Sequence, residues 1–297
     1  MRSERRTGEA RAAFWMLLPA LSLIAVFFVL PILASFLLSL TDFDLYALAS
    51  PRNARFVGLA NYVRLAEDPT FWKALRNTFL FVLAGGPASV AVALGAALLV
   101  NARVTRFKTL FRTAFFAPVV TTMVAVATVW RFLYHPRVGL FNRALDLVGL
   151  APIDWLGDPR WALLSICLLA VWKNFGYQAI LFVAGLQAIP ESLYEAARIE
   201  GAGPWQQFRH ITLPSLAPTF LFVAVTTSIG YFQLFSEPYV MTPDGGPLGS
   251  TLSVAFLMYR EGFRWWNLGY GAAIAFALFA VILIATRLQL QLFGRRA

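Results

Sequence analysis

Charge is scarce in this sequence. Charged residues make up 13% of its 297 positions and hydrophobic residues 59%, whereas soluble domains carry about 25% charged residues. That balance excludes an ordinary water-soluble globular domain. Cysteine is nearly absent: Cys167 stands alone in an apolar run, which excludes an intrachain disulfide and suits inert packing. The two histidines, His135 and His210, are far apart in sequence, so no metal cluster is suggested. No glycine is followed by lysine, which excludes the phosphate-cradling loop of nucleotide hydrolases. HExxH, CxxC and Ser-His-Asp spacings are also missing. Nothing here supports an enzyme, and no cofactor or metal is expected to bind this chain.

Long apolar runs are abundant. Stretches of eighteen or more apolar residues recur, the length that crosses a bilayer as helix. The expected fold is therefore all-α and integral to the membrane. Six spanning helices are expected at about 14–40, 77–100, 113–134, 161–188, 215–235 and 268–291. The first run, although broken by Pro19 and Pro31, is too long for a signal-peptide core and lacks a small-x-small cleavage site, so it reads as an uncleaved span. Residues 1–13 and 292–297 read as tails. The net charge of +10 suggests basic loops facing anionic lipid rather than nucleic acid. Asn101–Arg112 holds Arg103, Arg106, Lys108 and Arg112 without an acidic residue, as a short cytoplasmic loop should. An even number of spans then places both termini in the cytoplasm.

One polar island interrupts this pattern, from Pro190 to Pro214. Pro190 suits the first position of a helix, and Glu191 and Glu195 suit the positive end of its dipole. Gly201 can end that helix in the left-handed conformation, and Gly203-Pro204 opens a second short helix, Trp205 to Ile211. Within the island stand Glu195-Ala196-Ala197, then Gly201, then Ile211-x-Leu213-Pro214. This pattern resembles, at every fixed position, the EAA loop of membrane subunits of binding-protein-dependent ABC importers. Two further stretches resemble outer loops of sugar permeases of the maltose and glycerol-3-phosphate type. They are Val57-Gly58-Leu59-x-Asn61-Tyr62 and Tyr239-Val240-Met241-Thr242 followed by Gly245-Gly246-Pro247. Met241 in place of leucine, and Pro243-Asp244 standing before the glycines, depart mildly from the usual form of the second.

The resemblance covers about Phe14 to Gln291. It implies the type I ABC importer permease fold, in the cytoplasmic (inner) membrane, with a second permease subunit, two ATPase subunits that hold ATP and Mg, and an extracytoplasmic solute-binding protein. The implied cargo is a carbohydrate, polyol or glycerol phosphate. Tyr194, Glu195, Ala196, Ala197, Arg198, Gly201, Ile211, Leu213 and Pro214 are the implied ATPase-coupling residues. The helix would present Tyr194, Ala197, Arg198 and Gly201 to the ATPase, while Glu195 caps amides or pairs with a cation on that partner.

Polar side chains inside spans are costly and mark pathways by default. Lys173, Asn174, Tyr177 and Gln178 stand in the fourth span, with Tyr231, Gln233 and the near-boundary Glu237 at the fifth. At about 100° per residue, Asn174, Tyr177 and Gln178 share one face. Amides together with the rings of Trp172, Tyr177, Tyr231 and Phe232 suit a hydroxyl-rich solute. The plainer reading is interhelical hydrogen bonding with interfacial aromatics. A competing function, an ion-coupled secondary transporter, would have to use Lys173 and Glu237 as coupling groups.

Overall fold

The structure, a computed structural model, describes residues 14–102 and 108–293. The basic tail 1–13, residues 103–107 of the basic loop and the last residues 294–297 lie outside the described residues. Among the described residues the chain is helical, with one isolated β-bridge between Thr41 and Phe56. Among the described residues five helices are long and apolar enough to cross a membrane, and six spans result if one bent pair counts as a single crossing. The chain divides into two compact units, residues 1–67 with 258–276 and residues 68–257 with 277–297.

In the first unit, α1 (Phe14–Ser39) is apolar and exposed throughout its span window. It passes through a π-helical turn at Ala25–Val29 just ahead of Pro31, where a ring without an N–H would break regular α-helix bonding. The end of α1 is tied down by the Asn-Tyr pair of the first loop motif. Asn61 Nδ2 donates to the Ser39 and Thr41 carbonyls at 2.9 and 2.8 Å, and the Tyr62 and Ser39 hydroxyls meet at 2.8 Å. Between them lies α2 (Leu45–Ala49), capped by Asp44, and the Asn-Tyr pair itself stands on α3 (Ala60–Glu67). Asp42 accepts hydrogen bonds from the Arg55 amide and guanidinium, which hold its carboxyl below the usual carboxylate range.

The second unit is built on α4 (Pro69–Asn101) and α8 (Pro159–Gln187). Both start on the same signal: Asp68 caps Thr70 N at 2.8 Å and Asp158 caps Arg160 N at 2.9 Å, each followed by proline. Hydrogen bonds from the Arg160 guanidinium hold the Asp158 carboxyl below its usual range. These caps begin the helices at residues 69 and 159, before the spans expected from residues 77 and 161. α4 and α8 share a buried cluster in which the small residues Ala93, Ala96, Ala97 and Ala179 stand with the larger Phe182, Leu186, Leu216 and Val223. Small side chains let spanning helices approach closely.

The third span is where expectation and structure differ most. In place of one helix over 113–134 there are two, α5 (Lys108–Val120) and α6 (Met123–Leu133), bent by 100°. Pro118 removes one backbone donor. The Thr121 hydroxyl donates back to the Pro118 carbonyl at 2.7 Å, competing with the helix ladder, and Thr122 is extended. Beyond α6, α7 (Leu140–Leu147) is held by Asn142, whose amide bonds the Pro136 and Ile153 carbonyls, Ile153 N and Trp155 Nε1.

After α8 come α9 (Glu191–Ile199), α10 (Pro204–Gln207), a π-helical turn at Phe208–Thr212 and a short turn at Leu213–Ser215. Pro190 caps α9 from outside rather than opening it. α11 (Ala217–Phe232) breaks at Gln233–Phe235 and resumes as α12 (Ser236–Met241). The Gly-Gly-Pro segment that follows is pinned to α4: Asn77 Nδ2 donates to the Gly249 and Leu252 carbonyls at 2.9 and 3.0 Å, and the Thr78 hydroxyl accepts from Val254 N at 3.1 Å. α13 (Val254–Tyr259) and α14 (Leu268–Phe293) complete the chain.

Candidate functional site

A cavity of about 310 Å³ lies where α8 meets the break between α11 and α12. Asn174, Tyr177 and Gln178 from α8 line it, with Tyr231 and Gln233 at the end of α11 and Glu237 on α12. These residues are brought together because α8 presents one helical face and α11 stops opposite it. Glu237 is the one side chain with a formal charge among the described lining residues.

The members differ in how free they are. Gln178 is buried and engaged at both ends of its amide: Ser89 Oγ donates to its Oε1 at 2.8 Å, and its Nε2 donates to Thr227 Oγ1 at 2.9 Å. It ties α4, α8 and α11 together, so the interhelical reading describes its bonding. Asn174 spends one donor on the Ala170 carbonyl of its own helix at 2.9 Å. Tyr231 is 5% exposed and stacks on Phe81 with ring centres 4.9 Å apart. Its hydroxyl lies beside Ser89 and Asn174 without a hydrogen-bond partner of sound geometry. Tyr177 and Gln233 are exposed along the opening.

Three expected members sit elsewhere. Trp172 packs on Trp130 at 5.4 Å and Phe232 on Phe79 at 5.4 Å. Lys173 is not among the lining residues; its ammonium donates to the carbonyls of Pro118, Val119 and Thr121 at 2.6, 3.1 and 2.8 Å. Sequence reasoning passed over Ser89, Thr226, Thr227, Gly230 and Ser236. The available signal was hydroxyls and glycine inside apolar runs, but such residues are also ordinary helix contacts in lipid. Among the described residues no His, Cys, Asp or Glu group is placed to hold a metal.

The second candidate site is the polar island. Gly201, at φ +81, closes α9 in a Schellman arrangement, with Ala202 N on the Ala197 carbonyl at 2.8 Å and Gly201 N on that of Arg198 at 3.1 Å. Gln207 Nε2 donates to the Ala202 carbonyl at 2.8 Å, and Gln206 Oε1 accepts from Gly203 N at 2.8 Å. Tyr194 is half-buried: its hydroxyl meets Thr212 Oγ1 at 2.9 Å and braces the loop. Arg198 pairs with Glu191 at 3.3 Å. Ala197 and Ile211 are half-buried, while Glu195, Ala196, Leu213 and Pro214 are exposed. Ile199 and Trp205, at 88% and 69% exposure, add apolar surface that the sequence pattern did not single out.

Residues 10–296 match the family described as binding-protein-dependent transport system inner membrane component. The chain belongs to this family. Among curated members it is similar to the lactose transport system permease protein LacF of Rhizobium radiobacter, 37% identical over 94% of this chain and 92% of that protein. The trehalose/maltose transport system permease protein MalF of Thermococcus litoralis is 34% identical over 97% of this chain and 96% of that protein. Among solved structures, a chain of a bacterial alginate ABC transporter, crystallised with an alginate pentasaccharide-bound periplasmic protein, matches with TM-score 0.81 and 21% identity. That match covers 99% of this chain and 98% of that one. As a family member the chain has the type I ABC importer permease fold and is a multi-pass transport component of the inner membrane.

Proposed function

We propose that this permease carries a carbohydrate or related polyol through the cavity on α8, α11 and α12. It would supply half of a pathway completed by a second permease subunit. The observation that carries the reading is the lining: amides, hydroxyls and aromatic faces converge on a volume at the small end of the ~300–1,000 Å³ typical of small-molecule sites. The exposed amide of Gln233 and the remaining hydrogen-bonding groups of Asn174 can meet sugar hydroxyls, and the exposed ring of Tyr177 offers a face to the apolar side of a sugar. Relatives named for lactose and for trehalose/maltose support the same substrate class.

Work is drawn from two separate ATPase subunits holding ATP and Mg, and the island Pro190–Pro214 is the surface that meets them. An extracytoplasmic solute-binding protein delivers the cargo, and both termini lie in the cytoplasm. The test is uptake of labelled neutral sugars by the reconstituted complex with its binding protein. Uptake should require ATP and survive collapse of the proton gradient. Uptake that follows the gradient and ignores ATP would instead support the ion-coupled alternative.

A further inference from the structure

Lys173 lies beside the cavity without lining it. An ammonium has three N–H donors, and here three backbone carbonyls, those of Pro118, Val119 and Thr121, take them. Those carbonyls close α5 at the 100° bend, where the ladder stops and its last acceptors lack helical partners. In lipid an unsatisfied carbonyl is costly, and the negative end of a helix favours a cation. Lys173 meets both demands.

A second, independent feature fixes the same junction. Gly176, one turn along α8 from Lys173, faces α5 so closely that a Cβ there would collide with the Phe115 carbonyl oxygen. Backbone therefore meets backbone, which brings the bend within reach of the ammonium. Beyond the bend, α6 packs along α12, and Arg131 Nη1 donates to the Val240 carbonyl at 3.3 Å. α12 carries Ser236 and Glu237 into the cavity.

We propose that Lys173 is a positioning residue: its ammonium locks the bend of the third span, and through α6 it holds α12, with Ser236 and Glu237, as one wall of the cavity. The ammonium does not bind solute, because its donors are already taken. The functional meaning of that wall rests on the reading of the cavity as the pathway, but the experiment below does not depend on it.

Ser236→Cys, in a Cys167→Ser background, reports on that wall in membranes containing the full chain. The probe is a water-soluble maleimide, and the readout is its labelling rate. Lys173→Met is expected to raise the rate several-fold, and Lys173→Arg, which keeps charge and donors, to restore it. Equal rates in all three chains would overturn the proposal. If Lys173→Met does not reach the membrane, Lys173→Gln takes its place, with faster labelling in support and an unchanged rate against. If neither neutral variant inserts while Lys173→Arg does, the residue serves folding alone and the proposal falls.

Discussion

Gln178 Nε2 and Thr227 Oγ1 lie 2.9 Å apart, and the same amide accepts from Ser89. One side chain thus joins three helices, and both ends of its amide are used. Gln178→Leu should leave two buried hydroxyls without their partner, at about 1–2 kcal/mol, the upper range for hydrogen bonds between helices in lipid. Thermal unfolding in detergent should show the loss. Wild-type stability would mean that the hydroxyls find other partners, and the link between the helices would then be dispensable.

The parts of the molecule that could be read from sequence follow rules local to a few residues. Gly201 ends α9 as expected, whereas the Asp68-Pro69 and Asp158-Pro159 caps, equally local signals, went unread, and both helices begin before the spans expected from residues 77 and 161. The convergence of Asn174, Gln178 and Tyr231 on one cavity was also within reach, because helical phase places two of them on one face. What could not be read depends on pairs distant in the chain. The role of Lys173 becomes visible only when α8 meets the bend, and the bend itself reflects Pro118 together with two threonines that also occur in straight helices. The resemblance presents Tyr194 to a partner, and nothing in the sequence shows that Thr212, eighteen residues later, engages its hydroxyl.

Gly230 offers a direct test of the cavity. A Cβ there would have no heavy atom within 4 Å, and the residue lines the opening. Gly230→Ala should therefore leave insertion unchanged. Gly230→Leu should fill part of the space and lower sugar uptake at least about tenfold, the loss expected when about 1.4 kcal/mol of favourable contact is removed. Asn174→Leu and Gln233→Leu should lower uptake with the complex still assembled. Normal uptake in all of these variants would place the pathway elsewhere.

Topology is the next expectation. Six crossings place the C-terminus on the same side as the polar island. A reporter fused after Arg296 should be active only if its chemistry works in the cytoplasm. An externally active fusion would reverse the assignment of every loop and exclude an ATPase contact at Pro190–Pro214.

The last prediction concerns that contact. Gly201 sits at φ +81 with no heavy atom within 4 Å of a Cβ placed there. Within this chain Gly201→Asp therefore costs only the left-handed backbone penalty, about 1–2 kcal/mol, and aspartate tolerates that region better than most residues. Glu195 is exposed on α9, so Glu195→Lys should disturb this chain even less. Both variants are expected to insert and assemble, and any large effect has to arise at a partner's surface. We expect both to abolish the ATPase stimulation that the loaded binding protein produces in the reconstituted complex, and with it uptake. Tyr194→Phe separates bracing from contact: it removes the hydroxyl bond to Thr212 at a cost of about 1 kcal/mol and should lower stimulation only in part. If Gly201→Asp and Glu195→Lys both retain full stimulation, the island is not where ATP hydrolysis is coupled to transport, and the exposed apolar surface of Ile199 and Trp205 needs another partner.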